Sequence, residues 1–180
     1  MGRANSEAEL QQLVTERWGA LVRFGMLLTG DAGSAEDLVQ SALEKCWPRW
    51  STIRLDSPER YVKATMANLS ASRWRRRRVR EVAFETLTPD GDPPGSASTL
   101  VEPSDRIAQR DELWRLLCAL PPRMRAVVVL RFVEDLSEAE TARILGCSIG
   151  TVKSQTFRGL HQLRDALTRM NALADVEVQP

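Results

Sequence analysis

The sequence predicts an all-α protein of two small helical domains joined by a flexible acidic linker. Three observations predict this fold class. Apolar residues recur at spacings of three and four in both halves of the chain. Residues that suit helix N-caps precede these runs, and no segment alternates apolar and polar residues as a half-buried strand would. We expect the first domain at 6–83, the linker at 84–104 and the second domain at 105–173.

Length and composition limit the class of protein. A chain of 180 residues suits one domain or two small ones, and an apolar fraction of 43% is close to the globular average. No apolar run reaches the roughly 18–20 residues of a membrane span. Cys46, Cys118 and Cys147 are odd in number and widely spaced, so they predict no disulfide framework. We therefore expect a reduced, cytoplasmic protein with no membrane insertion.

The first domain is expected to contain three helices, over residues 6–28, 34–50 and 58–80. Ser6, with a glutamate three residues later, forms a capping-box pattern, and Gly30 follows the end of that helix. Ser34, with an aspartate three residues later, resembles a second helix start. Pro58 suits the first position of the third helix, and residues 50–56 form a loop before it.

The linker differs from both flanking domains in composition. Residues 85–104 contain four of the nine prolines and show no apolar period. Residues 84–105 carry five acids and no base, whereas both flanking blocks carry a net positive charge. Fully extended at about 3.5 Å per residue, this linker could separate two domains by up to ~70 Å.

The second domain is expected to contain four helices, over residues 104–120, 121–133, 137–145 and 148–173. Ser104, Ser137 and Ser148 are the expected N-caps, and Ser137 has a glutamate at the capping-box position. Pro121 and Pro122 separate the first two helices. Gly146, between the short third helix and the long fourth one, gives the turn of a helix-turn-helix motif.

The last helix has an apolar side and a polar side. We expect the apolar side to pack inward; it contains Ile149, Val152, Leu160, Leu163 and Leu167. Thr151, Ser154 and Arg158 lie opposite, with Lys153, Gln155 and Phe157 on the flanks. Arginine and lysine can bond guanine, glutamine can pair with adenine, and phenylalanine can pack on a thymine methyl group. The motif therefore predicts a helix that reads a DNA major groove, although an ordinary solvated helix face would also be polar.

Arginine is concentrated at the end of the third helix. Six of the eight residues from 73 to 80 are arginine, and consecutive helical residues point all around the axis. Several of these side chains must therefore face an anion or water, and a sugar-phosphate backbone is the favoured partner. An anionic membrane surface or a solvated helix end are the alternatives. Trp74, within the run, suits either a base stack or a core position.

No residue pattern indicates catalysis or a cofactor. His161 is the sole histidine and no two cysteines are close in sequence, so we expect no metal site. Phosphate-binding glycine loops and hydrolase signatures are missing from the sequence. We interpret the chain as a non-enzyme without cofactors. The tryptophans outside the arginine run are expected in the core, as are Cys46 and Cys118; these tryptophans are Trp18, Trp47, Trp50 and Trp114.

Three segments together resemble a bacterial group 4 sigma factor, the extracytoplasmic-function (ECF) class of the sigma-70 family. They are AEDLVQSALEKCW (35–47), ERYVKATMANLSASRWRRRR (59–78) and ALPPRMRAVVVLRFVEDLSEAETARILGCSIGTVKSQTFRGLHQLRDAL (119–167). The likeness extends over about residues 7–170, and the tryptophan-led arginine run is similar to an actinobacterial-type subgroup. The order of two motifs across a linker is more specific than the helix-turn-helix motif alone.

The resemblance implies a protein that binds core RNA polymerase and directs it to promoters. The first domain would be sigma region 2, and its segment at Asp37, Leu38 and Gln40 would dock on the β′ clamp helices. The second domain would be region 4, located at the β flap. Promoter DNA is the second partner, and the resemblance leaves an anti-sigma factor open as a third.

The resemblance also implies two DNA contacts. Asn68 would line a pocket for a flipped, unpaired −10 base, and the loop at 51–57 would help to hold the non-template strand. The residues expected along the −10 element are Asn68, Ser72, Arg73, Trp74, Arg75, Arg76, Arg77 and Arg78. Those expected at the −35 element are Ser148, Gly150, Thr151, Lys153, Ser154, Gln155, Phe157 and Arg158. Gln155 replaces an arginine that is common in the family, which predicts an altered −35 preference.

Two other functions fit parts of the sequence. A stand-alone helix-turn-helix regulator would explain residues 136–170 but would leave the arginine run without a role. Such a regulator is typically a dimer that reads two half-sites about one DNA turn apart. A helical adaptor that binds only protein would leave both basic regions solvated. Capture of core RNA polymerase distinguishes the sigma factor from both alternatives.

Overall fold

The computed structural model describes residues 3–53, 58–84 and 114–177, and side chains at 6–53, 58–72 and 114–169. The chain divides into two compact units, Met1–Ala97 and Ser98–Pro180. All regular secondary structure within the described ranges is helical, which confirms the predicted all-α class with two helical units. Residues 85–113, with most of the expected linker and the Ser104 cap, lie outside the described residues.

The first unit contains α1 (Arg3–Thr29), α2 (Ala32–Cys46), a 3-10 helix (Trp47–Thr52) and α3 (Pro58–Phe84). The expected cap at Ser6 is wrong, because α1 begins earlier and Ser6 is buried within it at 7% exposure. Gly30 ends α1 as predicted: its φ is +94°, and its N–H donates to the Met26 carbonyl oxygen. Pro58 begins α3, also as predicted.

The start of α2 differs from the prediction. Asp31 is the N-cap, and its Oδ1 accepts from the backbone N–H of Ser34 at 2.7 Å. Ser34 therefore lies in the first turn, and Asp37 lies too far into the helix to act in the cap. Both residue types cap well, but only Asp31 has the extended backbone of an N-cap, directly after the turn at Gly30. The α-helical part then ends at Cys46, because Pro48 lacks the N–H that would extend it.

Helices α1, α2 and α3 pack around one apolar core. Its fully buried side chains include Leu21, Leu28, Leu38, Val39, Val62 and Met66. Trp50 joins this core at 2% exposure, as predicted, and Cys46 is also fully buried. Trp18, Trp47, Trp114 and Cys118 are only half-buried, so the expectation for them is met in part.

The second unit contains α4 (described over residues 114–119), α5 (Pro122–Phe132), α6 (Glu138–Leu145) and α7 (Ile149–Glu177). Pro121 occupies the N-cap position of α5 and Pro122 begins it, as expected. Arg125 is buried at 6% exposure, and its Nη2 donates to the carbonyl oxygens of Cys118 (2.6 Å) and Leu120 (3.1 Å). It thereby satisfies carbonyls at the end of α4, and burial lowers the pKa of its guanidinium.

Helix α7 packs through only part of its predicted apolar side, where Val152 is buried as expected and Leu163 is half-buried. Val152 is fully buried and Gly159 is buried against α5, where no room remains for a side chain. Ile149, Leu160 and Leu167 are 46%, 40% and 42% exposed, so their predicted core role is wrong. The bare backbone at Gly159 lets α5 approach on that side, and these three apolar residues therefore lie on the flank of the packed face.

Candidate nucleic-acid interface

The turn between α6 and α7 is built by local hydrogen bonds. Ser137 and Glu140 form the predicted capping box at the start of α6. At its end, Gly146 adopts a left-handed backbone with φ of +60°. The N–H groups of Gly146 and Cys147 both donate to the Ala142 carbonyl oxygen, which closes α6 before α7 begins. The Cys147 thiol is free and half-buried in this turn.

The predicted −35 residues are exposed or half-buried at the start of α7 and along its first turns. Lys153, Ser154, Phe157 and Arg158 are exposed, and Phe157 is 72% exposed. Thr151 and Gln155 are half-buried beside them, while Ser148 and Gly150 are exposed at the start of the helix. This surface combines two cations, an amide and a solvated aromatic ring. These groups suit base edges and phosphates in a major groove.

Hydroxyl groups organise the first turn of α7. Ser148 Oγ accepts from the Thr151 N–H at 3.1 Å, as the predicted cap requires, and lies 2.9 Å from Thr151 Oγ1. Ser154 Oγ donates to the Thr151 carbonyl oxygen at 3.1 Å. Ser148 Oγ thus satisfies one of the first backbone N–H groups of α7, which lack intrahelical acceptors. Gly150 carries no side chain there, which leaves the helix terminus open to a phosphate.

One ion pair and one histidine–carboxylate contact on this surface include side chains that were not among the predicted −35 residues. Lys153 Nζ lies 3.8 Å from Glu138 Oε2 on α6. His161 Nδ1 lies 2.9 Å from Asp165 Oδ2, and its ring centroid lies 6.4 Å from that of Phe157. The i,i+4 spacing of His161 and Asp165 on a helix could have predicted their contact. Nothing in the sequence pattern indicates the Glu138–Lys153 pair, because it depends on how α6 crosses α7.

The predicted −10 residues lie on α3. Asn68 is exposed, and Ser72 Oγ donates to Asn68 Oδ1 at 3.2 Å. This bond leaves the amide nitrogen of Asn68 as a donor toward solvent. Residues 73–78 continue the same helix, but their side chains, including that of Trp74, lie outside the described set.

Ionic contacts fix the start of α3 to α1. Glu59 lies 3.4 Å from Arg17 on α1 and 3.1 Å from Lys63, one turn further along α3. The Lys63 ammonium also lies 5.5 Å from the centre of the Phe24 ring. Lys63 is therefore turned toward the domain, and little of its side chain is exposed.

The predicted polymerase-binding residues do not share one environment. Asp37 and Gln40 are exposed on α2, but Leu38 is fully buried in the core. A direct contact between Leu38 and a partner is therefore a wrong expectation, because the side chain is already enclosed by its own domain. Glu36 and Glu44 extend the exposed side of α2, which makes this surface acidic.

The described residues contain neither a metal site nor a membrane-spanning helix. No three histidine, cysteine or acidic side chains in them are grouped as a metal site would require. Within the same residues, no helix is both long and apolar enough to cross a membrane. The Cys46 thiol contacts Thr65 Oγ1 at 3.5 Å, and burial raises its pKa.

Two family models match the chain. Residues 13–80 match sigma-70 region 2 and residues 110–163 match sigma-70 region 4. The chain is 38% identical over 162 residues to the RNA polymerase sigma-E factor of Streptomyces coelicolor, covering 88% of this chain and 86% of that protein. It is 32% identical over 175 residues to the ECF RNA polymerase sigma factor SigL of Mycobacterium tuberculosis, covering 94% and 95%.

Solved structures share the fold at lower identity. The sigma factor RpoE of Bartonella quintana, solved in complex with the anti-sigma factor NepR, superposes with a TM-score of 0.60 at 23% identity. That match covers 89% of this chain and 97% of the other. CnrH, solved in complex with the cytosolic domain of CnrY, gives a TM-score of 0.54 at 21% identity, covering 93% and 95%.

Proposed function

This chain belongs to the ECF group of the sigma-70 family, and we propose from that membership how its two helical units direct transcription initiation. As an alternative sigma factor it binds core RNA polymerase and promoter DNA. We assign region 2 to residues 6–83, the linker to 84–104 and region 4 to 105–173. The observation that carries the proposal is the pairing of an exposed, capped recognition helix with an arginine-rich helix in one chain.

Region 4 reads the −35 element through α7. Gly159 on its packed side faces α5 and Val152 is buried, so Lys153, Phe157 and Arg158 remain available to the groove. Ser148, Gly150 and Thr151 place the helix start against a phosphate. Ser154 and Gln155 complete the contact surface, with Gln155 favouring adenine. The same domain binds the β flap of the polymerase.

Region 2 captures the melted −10 element through α3. Asn68, oriented by Ser72, donates its amide N–H to an unpaired base. The residues that follow the −10 backbone are Arg73, Trp74, Arg75, Arg76, Arg77 and Arg78. Separation of a base pair costs on the order of 1.4 kcal/mol per step, and contacts to the captured strand offset this cost.

Core polymerase binds the exposed acidic side of α2. Asp37 and Gln40 provide the contact with the β′ clamp helices, and Leu38 supports them from the core. The capping role that would have explained Asp37 belongs to Asp31 instead, so the exposed carboxylate of Asp37 is available for a partner. Attachment to the polymerase raises the effective concentration of each DNA-binding unit at its element.

The remaining assignments follow from the family. We place the protein in the cytoplasm, as a regulatory factor without catalytic activity of its own. An anti-sigma factor is a further proposed partner, since the sigma factor RpoE, which shares this fold, was solved in complex with the anti-sigma factor NepR.

Transcription with purified components tests the proposal. The full chain should be captured stoichiometrically by bacterial core RNA polymerase and should give new start sites in run-off transcription on a genomic library. Arg158→Ala should reduce transcription from promoters with a strong −35 element, while Arg164→Ala, further along the exposed side of α7, is the matched control. Failure of capture, combined with specific binding of the chain alone to a palindromic duplex, would identify a dimeric regulator instead.

A further inference from the structure

The ion pair between Glu138 and Lys153 links the two helices of the helix-turn-helix motif. Glu138 is the first residue of α6, and Lys153 lies within the first two turns of α7. Their side chains are 37% and 65% exposed, and the atoms Oε2 and Nζ lie 3.8 Å apart. The pair therefore lies on the side of α7 that we assign to the −35 element.

The N-termini of α6 and α7 both favour a negative charge at the position of the Glu138 carboxylate. The partial positive charge at the N-terminus of α6 stabilises the Glu138 carboxylate. The corresponding end of α7 disfavours a cation, so the ammonium of Lys153 gains from an anionic neighbour. Glu138 supplies that neighbour in the free protein.

We propose that Glu138 is a specificity-determining residue, which directs Lys153 toward a guanine edge and away from backbone phosphate. The proposal rests on the −35 role of α7. A phosphate that bound Lys153 would also approach the Glu138 carboxylate, and the two anions would repel each other. Guanine O6 and N7 are uncharged acceptors. An ammonium has three N–H donors, so Lys153 can bond a base edge while it stays at ion-pair distance from the carboxylate.

This arrangement lowers affinity for arbitrary DNA more than affinity for the correct promoter. Phosphates occur in every sequence, whereas a guanine occurs at the required position only in the matching element. The Glu138 carboxylate thus repels a phosphate near Lys153, which raises the ratio of specific to non-specific DNA binding.

A double-mutant cycle on the full chain in holoenzyme tests this role. Promoter DNA with a matching or a scrambled −35 element is titrated at several salt concentrations with four proteins: wild type, Glu138→Gln, Lys153→Met and the double variant. We expect Glu138→Gln to raise affinity for scrambled DNA about two- to fivefold and to leave the matching promoter nearly unchanged. The salt slope on scrambled DNA should steepen by about one unit, because Lys153 gains a phosphate. Neither effect should appear in the Lys153→Met background.

Asp165→Asn is the matched control, because it removes one negative charge from α7 outside the Glu138–Lys153 pair. Glu138→Gln could instead raise affinity equally for matching and scrambled DNA, or raise it in the Lys153→Met background as well. Either result would show that Glu138 repels DNA in general, and it would overturn the proposal. An unchanged affinity on scrambled DNA would overturn it as well. A wild-type holoenzyme that ignored the −35 sequence would instead refute the proposed function of α7, on which this inference depends.

Discussion

Gly159 on α7 lies so close to Val128 on α5 that a Cβ at the glycine would meet Val128 Cγ2 at 2.8 Å and Met124 Cγ at 3.1 Å. A contact of 2.8 Å is closer than carbon atoms tolerate, so the Val128 side chain or one of the two helices would have to move. The recognition helix is thus held at a distance from α5 that depends on a missing side chain. Arg158 and Phe157 are adjacent to this contact and would move with it.

Substitution of Gly159 by alanine should destabilise region 4. We expect a loss of about 1–3 kcal/mol in the free energy of unfolding, the usual effect of overpacking, measured by urea denaturation of the full chain. The rescue variant is Gly159→Ala with Val128→Ala, which removes the clashing methyl group. If the double variant were less stable than Val128→Ala by the same amount, the clash with Val128 would not be the cause.

The N-cap of α2 can be tested with a matched pair of variants. Asp31→Ala should reduce the free energy of unfolding by about 1 kcal/mol, because it removes the acceptor for the Ser34 N–H. Ser34→Ala should change stability much less, since only the backbone of Ser34 takes part in the cap. Thermal or urea unfolding of both variants provides the measurement, and a larger effect at Ser34 would contradict the assignment of Asp31.

Arg158→Ala should reduce −35 discrimination by ~1–3 kcal/mol. The arginine is exposed on α7, and its guanidinium suits the O6 and N7 atoms of guanine. The measurement is holoenzyme binding to promoters that differ only at single −35 positions. A base-reading role predicts relaxed preference at one position, whereas an equal loss on all promoters would indicate a phosphate contact.

Neutralisation of the arginine run should flatten the salt dependence of open-complex formation. Replacement of Arg75, Arg76, Arg77 and Arg78 by glutamine should reduce the slope of log K against log salt by about one unit per lost phosphate contact. Arg60→Gln, near the other end of α3, is the control. An unchanged slope would show that these arginines form a solvated helix end and do not contact phosphates.

Ser72→Ala should weaken base capture by Asn68 without unfolding region 2. The Ser72 hydroxyl orients the Asn68 amide and is only half-buried, so stability should change little. We expect reduced discrimination among bases at the captured −10 position, measured with single-stranded −10 oligonucleotides bound to holoenzyme. Asn68→Ala should abolish the same discrimination. A Ser72→Ala variant with wild-type base preference would show that Asn68 needs no orienting partner.

The helical class, most helix ends and the helix-turn-helix motif could be predicted from the amino-acid sequence. These features depend on contacts within a few residues, such as the Ser137–Glu140 capping box and the left-handed turn at Gly146. Local chemistry is visible in a sequence because its partners are three or four positions apart. The sequence favoured Ser34 as the N-cap of α2, whereas the structure has Asp31. Both residue types cap well and lie close together, and only the backbone conformation distinguishes the true cap.

Only the packing of the helices shows where their buried sides depart from the apolar spacing. Apolar spacing predicted Ile149, Val152, Leu160 and Leu167 inside, but with the close approach at Gly159 only Val152 of these four is buried. Leu38 is enclosed for a similar reason, because α2 packs against both α1 and α3. The Glu138–Lys153 pair also depends on how two helices cross. Periodicity gives the approximate direction of a helix face, whereas the side-chain volumes of neighbouring helices fix its final rotation.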